Sequence, residues 1–238
     1  MTGETLREFF RSLWRAPAPW LGMLVIGIST DLVDLVLTQG HVLGDLAAIA
    51  IIVRFFGVFW LAAVALRRMM DSPASAWVLD SGFAFFYGWQ IALLIAEAVA
   101  AFLLSMLKNT LDMAITVPVD PYVLTLVFVA LSTPIIDLLS LRLVPWVAAR
   151  TGRVTEFKLH MSRRGMRGHW RAAARTYLLL VLPLFAVHYA LTAWIPSAKA
   201  LPLVRAEWAA ADGVVSIAML MMLLALYVVC YRRARTSA

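Results

Sequence analysis

Long apolar runs separated by short polar or basic segments dominate this chain. Six runs are long enough to cross a bilayer as helices, at residues 20–38, 46–66, 80–107, 122–148, 173–195 and 213–231. A hydrocarbon core of about 30 Å needs about 20 helical residues, and a helix satisfies its own backbone hydrogen bonds without water. Apolar residues follow one another instead of alternating, which disfavours a membrane β-barrel. The pattern predicts an all-α, polytopic membrane protein with about six transmembrane helices.

The N-terminal segment, residues 1–19, has a different pattern from the transmembrane domain, residues 20–238. Within it, residues 5–15 read TLREFFRSLWR and predict a short amphipathic helix that lies on the inner leaflet. Its predicted apolar side comprises Leu6, Phe9, Phe10 and Leu13. Thr5 and Glu8 have the spacing of a capping box at the start of such a helix.

Charge adds an orientation to this picture. Only 15% of the 238 residues are charged and 63% are hydrophobic, whereas soluble proteins carry about 25% charged residues. Basic residues cluster before the first span, after the second and sixth, and in the loop 150–172 between the fourth and fifth. With six spans, all these clusters fall on one side, which the positive-inside rule makes cytoplasmic. We therefore predict that both termini are cytoplasmic. Since orientation explains the net charge of +7, no nucleic-acid partner is predicted.

The basic cytoplasmic loop 150–172 is too polar to span the membrane. Cations near an anionic leaflet gain about 1 kcal/mol each, and Phe157, Met161 and Trp170 are expected to insert beside them. A docking surface for a cytoplasmic protein partner would have the same sequence, so the two partners stay open. The residues predicted to make the contact are Arg150, Arg153, Lys158, Arg163, Arg164, Arg167 and Arg171.

Ionisable side chains from four predicted spans reach one layer in the outer half of the membrane, counted at 1.5 Å per helical residue. This intramembrane cluster comprises Asp31, Asp34, Arg54, Glu97 and His188. An isolated charge at the bilayer centre costs at least about 2.5 kcal/mol. Arg54 is therefore predicted to pair with Asp31, with Glu97 as the second candidate. The cluster is either a structural clamp that fixes the helix register or a pathway for protons or ions.

Small residues recur at every fourth position of the third predicted span, at Ala84, Gly88, Ala92, Ala96 and Ala100. Ridges of this kind let membrane helices approach closely, so this helix is expected at the centre of the bundle. The sixth span has no ionisable residue inside and is expected to face lipid. Pro134 and Pro183 are expected to kink the fourth and fifth spans.

The sequence carries no familiar catalytic or metal-binding motif. The chain has no G-x-S-x-G, H-E-x-x-H, P-loop or Gly-rich dinucleotide pattern. One cysteine excludes an intramolecular disulfide and a CxxC metal site. His41 and Asp45 have helical spacing, but two ligands do not make a metal site. No catalytic residue, metal or cofactor is predicted.

One segment, RLVPWVAARTGRVTEFKLHMSRRGMRGHWRAA at residues 142–173, carries a resemblance. It resembles a recurring element of poorly characterised bacterial multi-pass inner-membrane proteins, which include the membrane domain attached to some glycerophosphodiester phosphodiesterases. The residues that match its motif are Arg142, Pro145, Gly168, Trp170 and Arg171. His160 and Met161 replace the usual Ala-Trp pair. The resemblance implies a helical protein of the bacterial inner membrane with an accessory role and no assigned reaction.

Three functions remain open on these grounds. The first is a non-catalytic accessory, scaffolding or envelope-maintenance protein of the inner membrane. The second is a small transporter or ion-conducting protein that uses the intramembrane cluster. The third is an intramembrane enzyme that modifies lipids.

Overall fold

A computed structural model of the chain describes residues 1–38, 44–72, 75–112, 121–194 and 202–237. These residues form helices and no strand, which confirms the all-α class. In chain order the helices are α1 (Thr2–Arg15), α2 (Pro17–Thr38), α3 (Gly44–Met69), α4 (Ser81–Asp112), α5 (Pro121–Ser140), α6 (Val144–Thr151), α7 (Leu159–Met166), α8 (Trp170–Thr176), α9 (Leu182–Trp194) and α10 (Pro202–Thr236). A π-helical turn, Tyr177–Val181, joins α8 to α9.

Three helical stretches of the described residues are long and apolar enough to cross a membrane. They are Ser81–Met106, Trp170–Thr192 and Val204–Thr236. A fourth candidate is the pair Ala130–Ser140 and Val144–Thr151, whose two helices are bent by 78°. The apolar part of α2, Pro17–Thr30, is shorter. The described part of the chain thus has three or four candidate spans, as a membrane protein does.

The centre of the bundle is α10. It packs against α2, α9, α6, α7, α3 and α1. In its most apolar 18-residue stretch, 61% is buried. Met221, Leu224 and Tyr227 lie on its fully enclosed sides. The expectation that the sixth span faces lipid is wrong, because a helix that is apolar all round suits a protein core as well as a bilayer.

Helix α4 lies at the outside of the bundle. Only 6% of its most apolar 18-residue stretch is buried. Among the residues of α4 whose burial the structure describes, Phe86 and Leu93 are the buried apolar ones. In the predicted packing ridge, three members are exposed and two are half-buried; the exposed ones are Ala84, Gly88 and Ala92, and the half-buried ones are Ala96 and Ala100. A methyl group added at Gly88 would meet no atom within 4 Å. The structure therefore puts Ala84, Gly88 and Ala92 on the outer surface instead of at the centre of the bundle, because the helix that the others surround is α10 and not α4.

The fourth predicted span is broken instead of kinked at its central proline. Helix α5 continues through Pro134 to Ser140, and the chain turns at residues 141–143 before α6 begins. Pro145 occupies the first turn of α6, where its missing N–H group costs nothing. Helix α6 then packs beneath α4 and against α10 with Val147, Ala148 and Ala149 buried.

The fifth predicted span contains a π-helical turn just before its proline, Pro183. The amide of Leu182 donates to the carbonyl of Tyr177, five residues earlier, and Pro183 follows directly. A proline in a helix leaves a carbonyl without its donor, and a local π-helical turn redistributes the neighbouring hydrogen bonds. The turn leaves the Tyr177 side chain completely buried.

Helix α1 docks on the bundle through its polar side. Thr5, Glu8 and Ser12 are buried, whereas Phe10 is 57% and Trp14 87% exposed. The predicted capping box is wrong, because the helix begins at Thr2 and both of its members lie inside it. Thr5 Oγ1 donates to the Met1 carbonyl at 3.1 Å, and Glu8 pairs with an arginine of α10.

Candidate functional site

The ends of α1, α3, α6 and α10, together with α7, meet at one end of the bundle and form what we call the basic face. A buried arginine, Arg67, lies beneath this face. Arg67, in the last turn of α3, is 2% exposed. Its guanidinium group donates to the carbonyls of Thr151 at 2.8 Å, Val78 at 2.9 Å and Ser75 at 3.2 Å, and it pairs with the Asp80 carboxylate. A buried charge is tolerated only when it is paired and hydrogen-bonded. The sequence indicated Arg67 only as an orientation signal.

Asp80 is the N-cap of α4. Its carboxylate accepts hydrogen bonds from the amides of Gly82 at 2.9 Å and Phe83 at 3.1 Å, two of the donors that a helix start leaves unpaired. Burial opposes ionisation of this carboxyl, but the hydrogen bonds from Phe83 and Arg67 outweigh it and lower the pKa of Asp80 below its usual 3.8. A methyl group at Gly82 would lie 2.7 Å from the Thr151 carbonyl. Glycine is therefore required for the close approach of α4 to α6.

Helices α3 and α6 are each followed closely by a charged residue whose backbone is in the left-handed (αL) conformation. Asp71 has φ of 50° and Arg153 has φ of 58°. The Ser72 amide donates to the Arg67 carbonyl, and the Val154 amide donates to the Ala149 carbonyl, which is the Schellman pattern of a helix end. The αL conformation costs a non-glycine residue about 1–2 kcal/mol. In both cases the side chain lies near an opposite charge: Asp71 is 2.9 Å from Arg15, and Arg153 is 3.6 Å from Asp80.

The end of α10 holds α1 in place by ion pairs. Glu8, which is buried, accepts from Arg232 at 2.7 Å, and Arg232 also donates to the Met69 carbonyl at 2.9 Å. One turn earlier on α1, Glu4 accepts two hydrogen bonds from Arg233, at 3.0 and 2.9 Å. The acidic side chains of α1 are therefore already paired with arginines of α10.

The cations of loop 150–172 are displayed on a folded surface. All seven predicted contact residues are exposed: Arg150, Arg153, Lys158, Arg163, Arg164, Arg167 and Arg171. Phe157 is 3% exposed and packs edge-on against Tyr231, with 5.3 Å between ring centroids. Its predicted insertion into the bilayer is therefore wrong, because α10 covers it. Met161 and Trp170 are half-buried. A methyl group at Gly165 would lie 2.6 Å from the Ala234 carbonyl, so α7 rests directly on the α10 backbone.

The intramembrane cluster is only partly described. The side chains of Asp31 and Asp34, and the whole of His41, lie outside the described residues, so the pairing of Arg54 with Asp31 stays a prediction. Arg54 itself is half-buried and engaged in an interaction. Glu97, the second candidate partner, is half-buried and accepts a hydrogen bond from Thr133 Oγ1 at 3.1 Å, across from α4 to α5.

His188, a member of the predicted cluster without an assigned partner, contacts α10. Its Nδ1 atom is 2.6 Å from Asp212 Oδ1 and 3.0 Å from Ser216 Oγ, both on α10. Thr192 Oγ1 lies 3.5 Å from the second Asp212 oxygen. Serine and aspartate share one ring nitrogen, whereas a catalytic triad needs them on opposite nitrogens. Asp212 directly precedes the predicted sixth span, so the sequence did not indicate it as an intramembrane charge.

A second buried polar pair was also missed. Asp137 on α5 accepts a hydrogen bond from the Tyr177 hydroxyl at 2.8 Å, and both side chains are buried. The sequence signal was present, since Asp137 stands in the apolar stretch IIDLLS. An isolated carboxylate in an apolar stretch indicates a buried polar contact but does not identify the partner.

Across the residues that the structure describes, three or more His, Cys, Asp or Glu side chains nowhere come together to hold a metal ion. No protein-family model, curated protein or solved structure matches this chain. The resemblance over residues 142–173 stays a prediction.

Proposed function

We propose that this chain is a non-catalytic accessory or scaffolding protein of the bacterial inner membrane, and that its basic face holds the anionic cytoplasmic leaflet. One observation carries the proposal. The seven cations of loop 150–172 are exposed on a folded segment, while Phe157 and Met166 of that segment are buried. In this loop Phe157 is covered, so the loop binds through its charges, worth about 1 kcal/mol for each cation near an anionic leaflet.

We further propose six spans, formed by α2, α3, α4, α5, the α8–α9 stretch and α10, with both termini cytoplasmic. The proposal is supported by where the basic clusters lie. Arg15 is paired with Asp71 beside the end of α3, and Arg232 joins the end of α10 to Glu8. Helix α7 rests on the same end of α10. The clusters that the positive-inside rule needs on one side are thus joined to one another.

Thermal unfolding of the purified full-length protein in detergent tests the function. Dihexanoyl phosphatidylglycerol, which is anionic, should raise the Tm more than zwitterionic dihexanoyl phosphatidylcholine, because ligands of the folded state stabilise it. The triple variant Arg163→Gln, Arg164→Gln, Arg167→Gln should lose much of this difference, and high salt should reduce it in the parent protein. The matched control replaces the same three arginines by lysine, which keeps the charge. An unchanged difference in the glutamine variant would refute the proposal and favour a protein partner at this surface.

A second candidate function, proton or ion conduction, is favoured by the His188–Asp212 contact. The second polar pair, Asp137 of α5 with Tyr177 of the π-helical turn, lies in the same bundle. Ionisable groups inside membrane helices commonly mark such pathways. Proton flux into proteoliposomes tests it. Asp212→Asn should abolish flux, whereas Glu207→Gln, which alters an exposed carboxylate on the same helix, should not. Absence of flux in the parent protein would remove this candidate.

A further inference from the structure

A groove of about 310 Å³ lies between α1 and the last two turns of α10. Its walls carry four arginines and two glutamates: Arg7, Arg11, Arg232, Arg233, Glu4 and Glu8. The volume is within the range of pockets that hold small ligands. None of these residues belongs to loop 150–172.

Two of the four guanidinium groups are fixed before any ligand arrives. Arg232 is held by Glu8 at 2.7 Å and by the Met69 carbonyl at 2.9 Å. Arg233 is held by Glu4 through two bonds of 2.9 and 3.0 Å, and its hydrogen bond lowers the pKa of Glu4, so this carboxylate stays ionised at neutral pH. The two bonds to Glu4 use two of the five N–H groups of a guanidinium. Preorganised donors cost less entropy on binding.

The other two arginines supply the excess charge. Arg7 and Arg11 lie one turn apart on α1 and are exposed, and Arg11 is only loosely paired with Glu8, at 3.6 Å. Four guanidinium groups and two carboxylates give the groove a net charge of +2. A phosphomonoester carries a charge of about −1.5 to −2 at neutral pH, and arginine binds its oxygens in a bidentate manner. A phosphodiester offers a single charge and fewer oxygens.

The same helix also presents an apolar surface beside the groove. Phe10, Leu13 and Trp14 are exposed on α1, on the side opposite to its buried polar residues, and Arg7 and Arg11 lie along the flank that faces the groove. Aromatic and apolar side chains flanked by arginines are typical of helices at the level of lipid headgroups. A phosphate that reaches this groove at that level would be attached to a lipid.

We propose that the groove between α1 and α10 binds a phosphomonoester carried by a lipid headgroup, of the kind found in phosphatidic acid. The choice of a lipid as the source rests on the proposed contact between the basic face and the cytoplasmic leaflet. The recognition of the phosphomonoester itself rests on the groove alone. Arg7 and Arg11 close over the phosphate, while Arg232 and Arg233 form its fixed base.

Ligand-induced shifts in Tm of the full-length protein in detergent test the site. Dihexanoyl phosphatidic acid should stabilise the protein more than dihexanoyl phosphatidylglycerol at equal concentration, and inorganic phosphate should stabilise it less than either. The double variant Arg7→Gln, Arg11→Gln should weaken phosphatidic acid binding roughly tenfold or more, since charged hydrogen bonds are lost, and should erase the preference over phosphatidylglycerol. These side chains are exposed, so the variant without ligand should unfold at the parent Tm.

Two further variants keep the test sharp. The Arg7→Lys, Arg11→Lys variant retains charge without the bidentate geometry and should lose the preference while still binding anionic lipid. The glutamine variant of Arg163, Arg164 and Arg167 has a charge change at a distance from the groove and should retain the preference.

Equal Tm shifts with both lipids, or a preference that survives Arg7→Gln, Arg11→Gln, would overturn the site. A full shift with inorganic phosphate would overturn the lipid source. A different result would refute the proposed function, namely an unchanged rise in Tm with phosphatidylglycerol in the Arg163→Gln, Arg164→Gln, Arg167→Gln variant.

Discussion

The guanidinium group of Arg67, at the end of α3, donates a hydrogen bond to the carboxylate of Asp80, which caps the start of α4. The same guanidinium binds the last carbonyl of α6, where the helix dipole concentrates negative charge. One buried side chain therefore sets the positions of three helices beneath the basic face.

Arg67→Met should destabilise the protein more than Asp80→Asn does. Methionine removes the guanidinium group from the half-buried Asp80 carboxylate and from three backbone carbonyls, a loss of about 3–5 kcal/mol for a broken buried pair. Asparagine still accepts a hydrogen bond at the N-cap. Arg67 loses its counter-charge but keeps its three carbonyl acceptors, so the loss should be smaller than for Arg67→Met. Denaturant unfolding in detergent measures both. Arg235→Met, at an exposed site, should stay within about 0.5 kcal/mol of the parent protein. Equal losses for the first two variants would contradict this account of Arg67.

Stability should fall at acid pH because of Asp80. Its pKa is lower in the folded protein than its usual 3.8, so its contribution is fully present above about pH 4 and is lost as the pH falls through the folded value. Tm measured from neutral to acid pH should decline less in Asp80→Asn than in the parent protein over this window. Parallel curves for the two proteins would show that Asp80 does not titrate with folding.

Gly165→Ala should loosen α7 from α10. The added methyl group would lie 2.6 Å from the Ala234 carbonyl and 2.7 Å from its Cα atom, and overpacking of this kind costs about 1–3 kcal/mol. Hydrogen exchange of the α7 amides should accelerate. Gly168→Ala is the matched control, because a methyl group there meets no atom within 4 Å. If both variants exchange like the parent protein, the close packing of α7 on α10 is disproved.

Arg54→Met and Asp31→Leu should each lower the Tm in detergent, and the double variant should recover most of the loss. Truncating one member of a buried ion pair costs about 3–5 kcal/mol, whereas replacing both members by apolar residues is often nearly neutral. Glu97→Gln tests the second candidate partner and leaves shape unchanged. Additive losses for Arg54 and Asp31 would show that the two side chains are not in contact.

Cysteine labelling should report the proposed topology. In a Cys230→Ala background, Ser197→Cys should react with an impermeant maleimide in intact cells, since the segment between the fifth and sixth proposed spans is periplasmic in that topology. His160→Cys, exposed on α7, should react only after permeabilisation. The opposite result would reverse the orientation, and labelling of both sites in intact cells would change the number of spans.

The difference between Arg67 and Arg68 illustrates what a sequence leaves out. Both follow the same apolar run, and both read as orientation signals. Adjacent helical residues point about 100° apart, so only one of them faces α6 and the start of α4. Arg67 is buried among carbonyls, while Arg68 lies over the Trp77 ring at 5.5 Å. Nothing local to residues 67–68 distinguishes them.

Helix α1 makes the same point over a longer distance. Its helical period is visible in the sequence, but the side that docks is not. Glu8 is buried because Arg232 meets it, and these residues are 224 positions apart. Without that partner, the natural expectation is that the apolar side faces the protein or the bilayer and the acidic side faces water.

The sequence by itself determined that this chain is helical and has the composition of a membrane protein. These properties follow from local causes, since a helix in hydrocarbon satisfies its hydrogen bonds within its own segment. Only the tertiary structure decided that α10 is central and α4 outer, and that His188 meets Asp212. Those outcomes depend on which helix sides meet. Apolar helices of similar composition compete for the same position, and a buried polar group is settled by whichever partner the packing brings within hydrogen-bond distance.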